Sequence, residues 1–166
     1  MTDALALRLA GAGDRPALQR LWQLFRHDLS EFVGPLPAPD GTFTSDRLDA
    51  AFDHPDRALY LLTSGECAAG FVLVRGLAEP TRVMSAFFVV RALRRSGVGT
   101  RVALDVVGRH PGPWGIPFQE ENAGAARFWR DVATRVAGAA WTEERRPGPG
   151  SADAVSDVWV SFDTGK

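Results

Sequence analysis

The sequence predicts an α/β (mixed α+β) architecture: a mixed, largely antiparallel seven-stranded sheet with helices on both faces. Three observations predict it. Short apolar or alternating runs interchange with runs at helical spacing in the order β-α-α-β-β-β-α-β-α-β-β. One strand, ending at Val89-Val90, passes directly into the turn Arg91-Ala92-Leu93-Arg94-Arg95-Ser96-Gly97-Val98-Gly99-Thr100 and a helix. The chain has 166 residues, 45% hydrophobic and 23% charged, which suits one globular domain over residues 1–166 with a sizeable core.

Leu5–Leu9 alternates and predicts the first strand. Asp14 is placed to cap a helix that tolerates Pro16 in its first turn. Leu18, Leu21, Trp22, Phe25, Leu29 and Phe32 trace one face of that helix. The turn-rich stretch Gly34–Gly41 stops it. A short second helix covers Ser45 to Phe52, capped by Ser45 or Thr44, and His54-Pro55 breaks it.

Ala58–Thr63 and Ala68–Val74 read as two strands around Ser64-Gly65-Glu66. Arg82 to Val90 is the next strand, antiparallel to the one before. After the glycine turn, Val98, Val102, Ala103, Val106 and Val107 mark a helix ending near His110-Pro111. Trp114–Gln119 is a strand whose Pro117 cannot donate to a ladder and so favours one free side. Ala125, Phe128, Trp129, Val132 and Val136 line the inner side of a helix beginning at Asn122. Ala140-Trp141-Thr142 and Val155 to Phe162 complete the sheet, joined by a mobile connection at Arg146–Ser151.

Composition excludes several function classes. A net charge of −1 gives no pull toward nucleic acid, and no stretch is long and apolar enough to span a membrane. Cys67 is the only cysteine, so a disulfide-stapled module is excluded. The N-terminus lacks a basic region followed by a cleavage site, and a cytoplasmic location is the expectation. Three scattered histidines and one cysteine have no metal-ligand spacing, so no metal is expected. No G-x-S-x-G elbow supports a serine nucleophile.

The glycine turn is the one phosphate site the sequence offers. A helix start leaves backbone N–H groups without intrahelical partners and carries partial positive charge, so it receives anions. Glycines remove the Cβ atoms that would hold a phosphate away. Gly97-Val98-Gly99-Thr100 lacks the lysine of a Walker loop, which argues against a nucleoside triphosphatase and leaves a diphosphate-sized anion. Gly11-Ala12-Gly13 fails as a dinucleotide fingerprint, because its third glycine would fall at Pro16.

The segment Phe87–Gly99 resembles the acetyl-coenzyme A motif of the GNAT superfamily of N-acetyltransferases: a hydrophobic strand, Arg or Gln, two residues, Gly, any residue, Gly or Ala. Arg94, Gly97 and Gly99 match it position for position. About 25 residues on, Asn122-Ala123-Gly124-Ala125-Ala126-Arg127-Phe128-Trp129 resembles the superfamily's Asn-x-x-Ala-x-x-Phe-Tyr helix.

The resemblance implies an acetyl-CoA-dependent N-acetyltransferase, with acetyl-CoA as co-substrate and a primary amine of a small molecule or peptide as acceptor. It implies a splay between the Phe87–Val90 and Trp114–Gln119 strands, with the pantetheine arm paired to the backbone of Phe88 and Val89 beside Phe87. The pyrophosphate would sit on the N–H groups of Arg95, Ser96, Gly97, Val98, Gly99 and Thr100, next to Arg94. Asn122 would hold the pantetheine region by its amide, and Phe128 would pack near the thioester. The amine would attack the thioester directly, with the oxyanion on a backbone N–H near Val89.

Two departures bear on catalysis. Trp129 stands where many members carry a tyrosine that protonates the leaving thiolate, and an indole N–H is no practical acid. Ser85 and Ala86 stand where a carboxylate often serves as base, which leaves Glu120 and Glu121 as weak catalytic candidates, acting through water. These departures motivate an alternative, a CoA-binding regulatory or accessory module with little or no turnover. On the first long helix, His27 and Glu31 share a polar side that an acceptor amine could approach. The acceptor, the acyl preference and the choice of monomer or homodimer stay open.

Overall fold

The computed structural model describes residues 4–147 and 157–165. Seven strands form one sheet: β1 (Leu5–Leu9), β2 (Arg57–Ser64), β3 (Cys67–Arg75), β4 (Arg82–Val89), β5 (Pro113–Phe118), β6 (Thr142–Arg146) and β7 (Asp157–Asp163). Four helices accompany them: α1 (Arg15–Leu29), α2 (Asp46–Asp53), α3 (Val98–Arg109) and α4 (Ala123–Ala137). The strand order is β1-β2-β3-β4-β5-β7-β6, antiparallel throughout except for β4 beside β5.

Period-2 alternation divides the core between the two faces. Leu59, Leu61, Phe71, Leu73, Ala86 and Phe88 point to one face and bury Leu18 and Trp22 of α1 and Leu48 of α2. Tyr60, Leu62, Val72, Val74 and Met84 point to the other, together with Ile116, Phe118, Val158 and Val160, against Val102 and Val106 of α3 and Trp129 and Val132 of α4. Each helix is amphipathic and buries one stripe.

The ends of elements differ from expectation where local hydrogen bonding outweighs apolar pattern. α1 stops at Leu29, not Phe32: Ser30 caps it with its hydroxyl on the His27 carbonyl at 2.6 Å, and Phe32 turns back onto Leu29. Asp14 precedes α1 without capping it by its side chain. Its carboxylate instead accepts from Arg8 (2.7 Å) and the Gly11 N–H (2.8 Å), and these bonds hold its pKa down to about 2. β6 lies at Thr142–Arg146, beyond the expected Ala140–Thr142, and β7 is described from Asp157. The expected connection at Arg146–Ser151 and the start of the last strand at Val155 fall largely outside the described residues.

β4 and β5 pair through only two register positions, Arg82↔Trp114 and Val83↔Gly115, and then diverge. The divergence begins at a β-bulge. Leu73 pairs with Ala86 and Val74 with Met84, so Ser85 is an extra residue that bends β4 and re-aims the strand beyond it. Past the bulge, β5 borders the gap along Pro117, whose missing N–H costs no ladder bond on that side.

Candidate functional site: the splay between β4 and β5 and the glycine turn

Backbone alternation decides which groups face the gap. The Val90 N–H donates to Ala69 on β3 at 2.9 Å. In an antiparallel ladder, inward and outward groups alternate, so Phe88 spends its N–H and C=O on β3, whereas Phe87 and Val89 present theirs to the gap. The pairing expected of Phe88 is corrected on this ground. Its ring faces α1, against Phe25 and Phe71, while the Phe87 ring faces α4.

At the top of β4 the chain makes a 3-10 turn over Arg91–Leu93 and enters the glycine turn. Arg95 at φ 62° and Gly97 at φ 84° adopt left-handed conformations, and Gly97 is the residue before α3. From Arg95 to Thr100, six successive backbone N–H groups meet no acceptor among the described residues, and the first α3 bond is Arg101 N–H to Gly97 C=O at 3.1 Å. Left-handed residues flanked by helical ones turn successive N–H groups into one concavity, a nest for an anion. Here the nest lies at the positive end of α3. The Ser96 hydroxyl is tied back to Leu93 C=O at 2.7 Å and helps fix the loop.

The Arg94 side chain turns away from this nest. Its Nε donates to Val89 C=O at 2.7 Å and its Nη2 to Asp28 of α1 at 2.6 Å, and Arg91 reaches the same carboxylate at 2.7 Å. Arg94 thus clamps the end of β4 to α1. Partial burial raises the Asp28 pKa, but the two guanidinium groups outweigh it, and the net shift is downward. Of the polar residues on α1, it is Asp28 that meets the turn.

A wall of aromatic rings closes the side toward α4. Phe87 lies 5.5 Å from Phe128 and 5.0 Å from Trp129 between ring centroids, and a Cβ at Gly99 would sit 3.4 Å from Phe128. Trp129 itself is buried among core residues. Asn122 caps α4, its amide oxygen accepting from Ala125 N–H at 3.1 Å, so its NH₂ is the part left to face a ligand. Phe87, Phe128 and Gly99 of the turn are thus brought together, with Val89 on the same strand edge as Phe87 and Asn122 at the start of the helix that carries Phe128.

Glu120 and Glu121 are exposed at the end of β5, and Glu120 is ion-paired with Arg145 of β6. Gln119 donates to Asp157 of β7 at 3.1 Å, which sequence patterns did not single out. Sequence patterns also missed Arg47 of α2, which reaches across the sheet to Ser85 C=O and to Ser85 Oγ (3.2 Å) at the bulge. Only the bulge brings these two together. Two cavities of about 540 Å³ each open away from the splay, one beneath α2 near Tyr60 and His110 and one on the sheet face around Trp159. Among the described residues no group of three His, Cys, Asp or Glu could hold a metal ion, and no helix is long and apolar enough to cross a membrane.

The sequence matches no family model and no curated protein. The structure does find relatives in shape. The ribosomal-protein-S18-alanine N-acetyltransferase of Escherichia coli superposes with a TM-score of 0.70 at 11% identity, over 98% of this chain and 96% of that one. The fold is that of the GNAT N-acetyltransferases. A GNAT-family acetyltransferase of Staphylococcus aureus gives 0.66 at 11% identity, covering 97% and 99%. The spermidine N-acetyltransferase of Vibrio cholerae, solved with CoA and spermine, gives 0.69 at 14%, covering 98% and 96%.

Proposed function

We propose that the chain is an acetyl-CoA-dependent N-acetyltransferase, a single domain that moves an acetyl group to a primary amine. The observation that carries it is the run of six unpartnered N–H groups from Arg95 to Thr100 at the mouth of a strand splay. Hydrogen bonds from backbone N–H to an ionised oxygen are worth roughly 1.5–3 kcal/mol each, so a few hold a pyrophosphate without a metal. Acetyl-CoA supplies the activated acetyl group as a thioester.

The chain's own groups orient that co-substrate. With the pyrophosphate on the nest, the pantetheine arm descends the gap along β4. It meets Val89 first and Phe87 further in, each offering a backbone N–H. Val89 C=O is held by Arg94, so the arm pairs there through the N–H alone. The N–H of Phe87, next to the bulge, is the donor placed for the thioester oxygen and for the charge that develops on it. Phe128 and Gly99 shape the wall beside it, and the NH₂ of Asn122 is a donor to the arm.

The acceptor enters from the α1–α2 side, where Ser85 and Arg47 line the inner end of the gap. Its amine attacks the thioester carbon, the C–S bond breaks, and CoA leaves as the thiol after taking a proton. Asp157, bonded to Gln119, and Glu120 and Glu121 at the rim are the carboxylates able to accept the amine proton through water. Trp129 packs in the core and is not the acid.

Release of free thiol from acetyl-CoA, followed across a panel of primary amines, tests the reading. Amine-dependent release that Gly97→Val abolishes supports transfer. Saturable CoA binding without release for any amine would leave a binding module in its place.

A further inference from the structure

The inner end of the splay is cationic. Arg47 of α2 lies with its guanidinium 5.5 Å from the Trp22 ring and hydrogen-bonded to both oxygens of Ser85 at the bulge. Arg26, Arg75 and Arg57 act on it as like charges, and Asp157 opposes them more weakly. Arg57 and Arg75 stand directly opposite each other in the β2–β3 register, on the same face. The Arg26 guanidinium packs 5.8 Å from the Phe43 ring, and its Nε is buried without a partner.

Among the described residues, Arg26, Arg57 and Arg75 make no side-chain hydrogen bond and no ion pair. Nine other arginines each pair with an Asp or Glu. Arg20, Arg82, Arg95, Arg101 and Arg127 are likewise outside the ion pairs among the described residues, but on this face four such arginines, Arg26, Arg47, Arg57 and Arg75, act on one another.

The same face leads outward into a bowl of about 540 Å³ lined by Arg75, Val83, Gly115, Arg146 and Trp159. Arg146 stacks 4.4 Å from the Trp159 ring and is ion-paired with Glu144, and Asp163 shares the lining, so the arginine of the bowl without an ion pair among the described residues is Arg75. Like charges gathered beside a cleft repel one another and are relieved when a ligand supplies the anion. Arginine suits that task because it stays charged and its planar fork matches carboxylate and phosphate oxygens.

We infer that the corner where Arg47 meets Ser85 binds an anionic group, a carboxylate or a phosphate, on the acceptor, so that the acceptor is an acid-bearing amine and not a polyamine. The identity of the anchored molecule as an acceptor rests on the proposed transfer reaction; the anion corner rests on the arginines alone. Ser85 stands two residues from Phe87, roughly 7 Å along a strand. The amine and the acid are therefore separated by only a few bonds, as in an amino acid. A polycation such as spermidine meets four guanidinium groups at this entrance and is repelled.

The test uses matched pairs: phenylalanine with phenethylamine, tyrosine with tyramine, and methionine with 3-(methylthio)propylamine, plus spermidine. Turnover is read as thiol release from acetyl-CoA, and binding is read separately by calorimetry on the protein saturated with CoA, which has no acetyl group to transfer. The expected result is at least one acid-bearing member turned over tenfold or more better, by kcat/KM, than a partner lacking the α-carboxylate. Arg47→Gln removes that advantage mainly through KM, and Arg75→Gln serves if Arg47→Gln does not fold.

Equal or better turnover of spermidine or of the decarboxylated amines overturns the inference. So does an Arg47→Gln loss that is the same for both members of every pair. If acid-bearing amines bind the CoA complex in an Arg47-dependent way but none is acetylated, the anion corner stands and the transfer reading falls. If no acid-bearing amine binds, the anion corner falls.

Discussion

Gly97 is the residue on which the anion nest turns. Its φ of 84° is left-handed, and no atom lies within 4 Å of where a Cβ would sit, so the objection to a side chain there is conformational and not steric crowding. Holding an ordinary residue left-handed costs roughly 1–2 kcal/mol, more for a β-branched one, whereas asparagine tolerates it. Gly97→Val is expected to weaken CoA binding at least tenfold by calorimetric titration, and Gly97→Asn to keep it within about threefold. A second residue-scale prediction concerns His110, whose Nε2 lies 2.7 Å from the Tyr60 hydroxyl. Burial first, then the positive charges of Arg82 and Arg109, holds its pKa below the ordinary histidine value. A depressed histidine pKa gives stability that is complete above the unfolded value of about 6.5 and is lost as pH falls through it toward the lower folded value. Melting temperature should therefore drop between pH 7.5 and 5, and His110→Gln should flatten that part of the profile. An unchanged slope in the variant would refute this role for His110.

At the scale of elements, β3 and β4 come unusually close. A Cβ on Gly70 would lie 2.2 Å from the backbone oxygen of Phe88 and 3.2 Å from Val89 Cα, so no rotamer can relieve it and the strands must part. Gly70→Ala is expected to cost about 1–3 kcal/mol, on the order of 5 °C in Tm. Gly108 in α3 is the contrast, with open space around an added Cβ. There alanine should stabilise, by up to about 1 kcal/mol, because it restricts the unfolded chain. Thermal melts of the two variants with opposite signs would confirm that β4 is held at Gly70. Since β4 carries Phe87 and Val89, the Gly70 variant should also weaken CoA binding.

For the whole molecule, strand and helix identity was legible in sequence because burial on both faces writes itself as continuous apolar runs in β2 and β3, one-sided burial as period 2 in β7, and helix packing as period 3.6 in α1, α3 and α4. β6 was misplaced for a physical reason. Thr142-Glu143-Glu144-Arg145-Arg146 is an exposed edge strand whose charges guard its free side, so no apolar pattern marks it. The geometry of the glycine turn, left-handed at Gly97 and opening into α3, was legible because glycines announce it. The anchoring of Arg94 on Asp28 was not, since the two are 66 residues apart and each looks like ordinary surface charge. That Phe88 spends its backbone groups on β3, leaving those of Phe87 and Val89 toward the gap, was not legible either, because strand parity past the Ser85 bulge carries no sequence mark. Arg47 stayed hidden in the same way, as one arginine among many until the bulge set Ser85 before it.

The central claim is that the splay and its nest hold acetyl-CoA, and isothermal titration of the wild-type chain with acetyl-CoA measures it most directly. Several charge-assisted N–H bonds to one pyrophosphate support binding of one equivalent with a dissociation constant on the order of micromolar to tens of micromolar. No saturable heat at several hundred micromolar acetyl-CoA would contradict it.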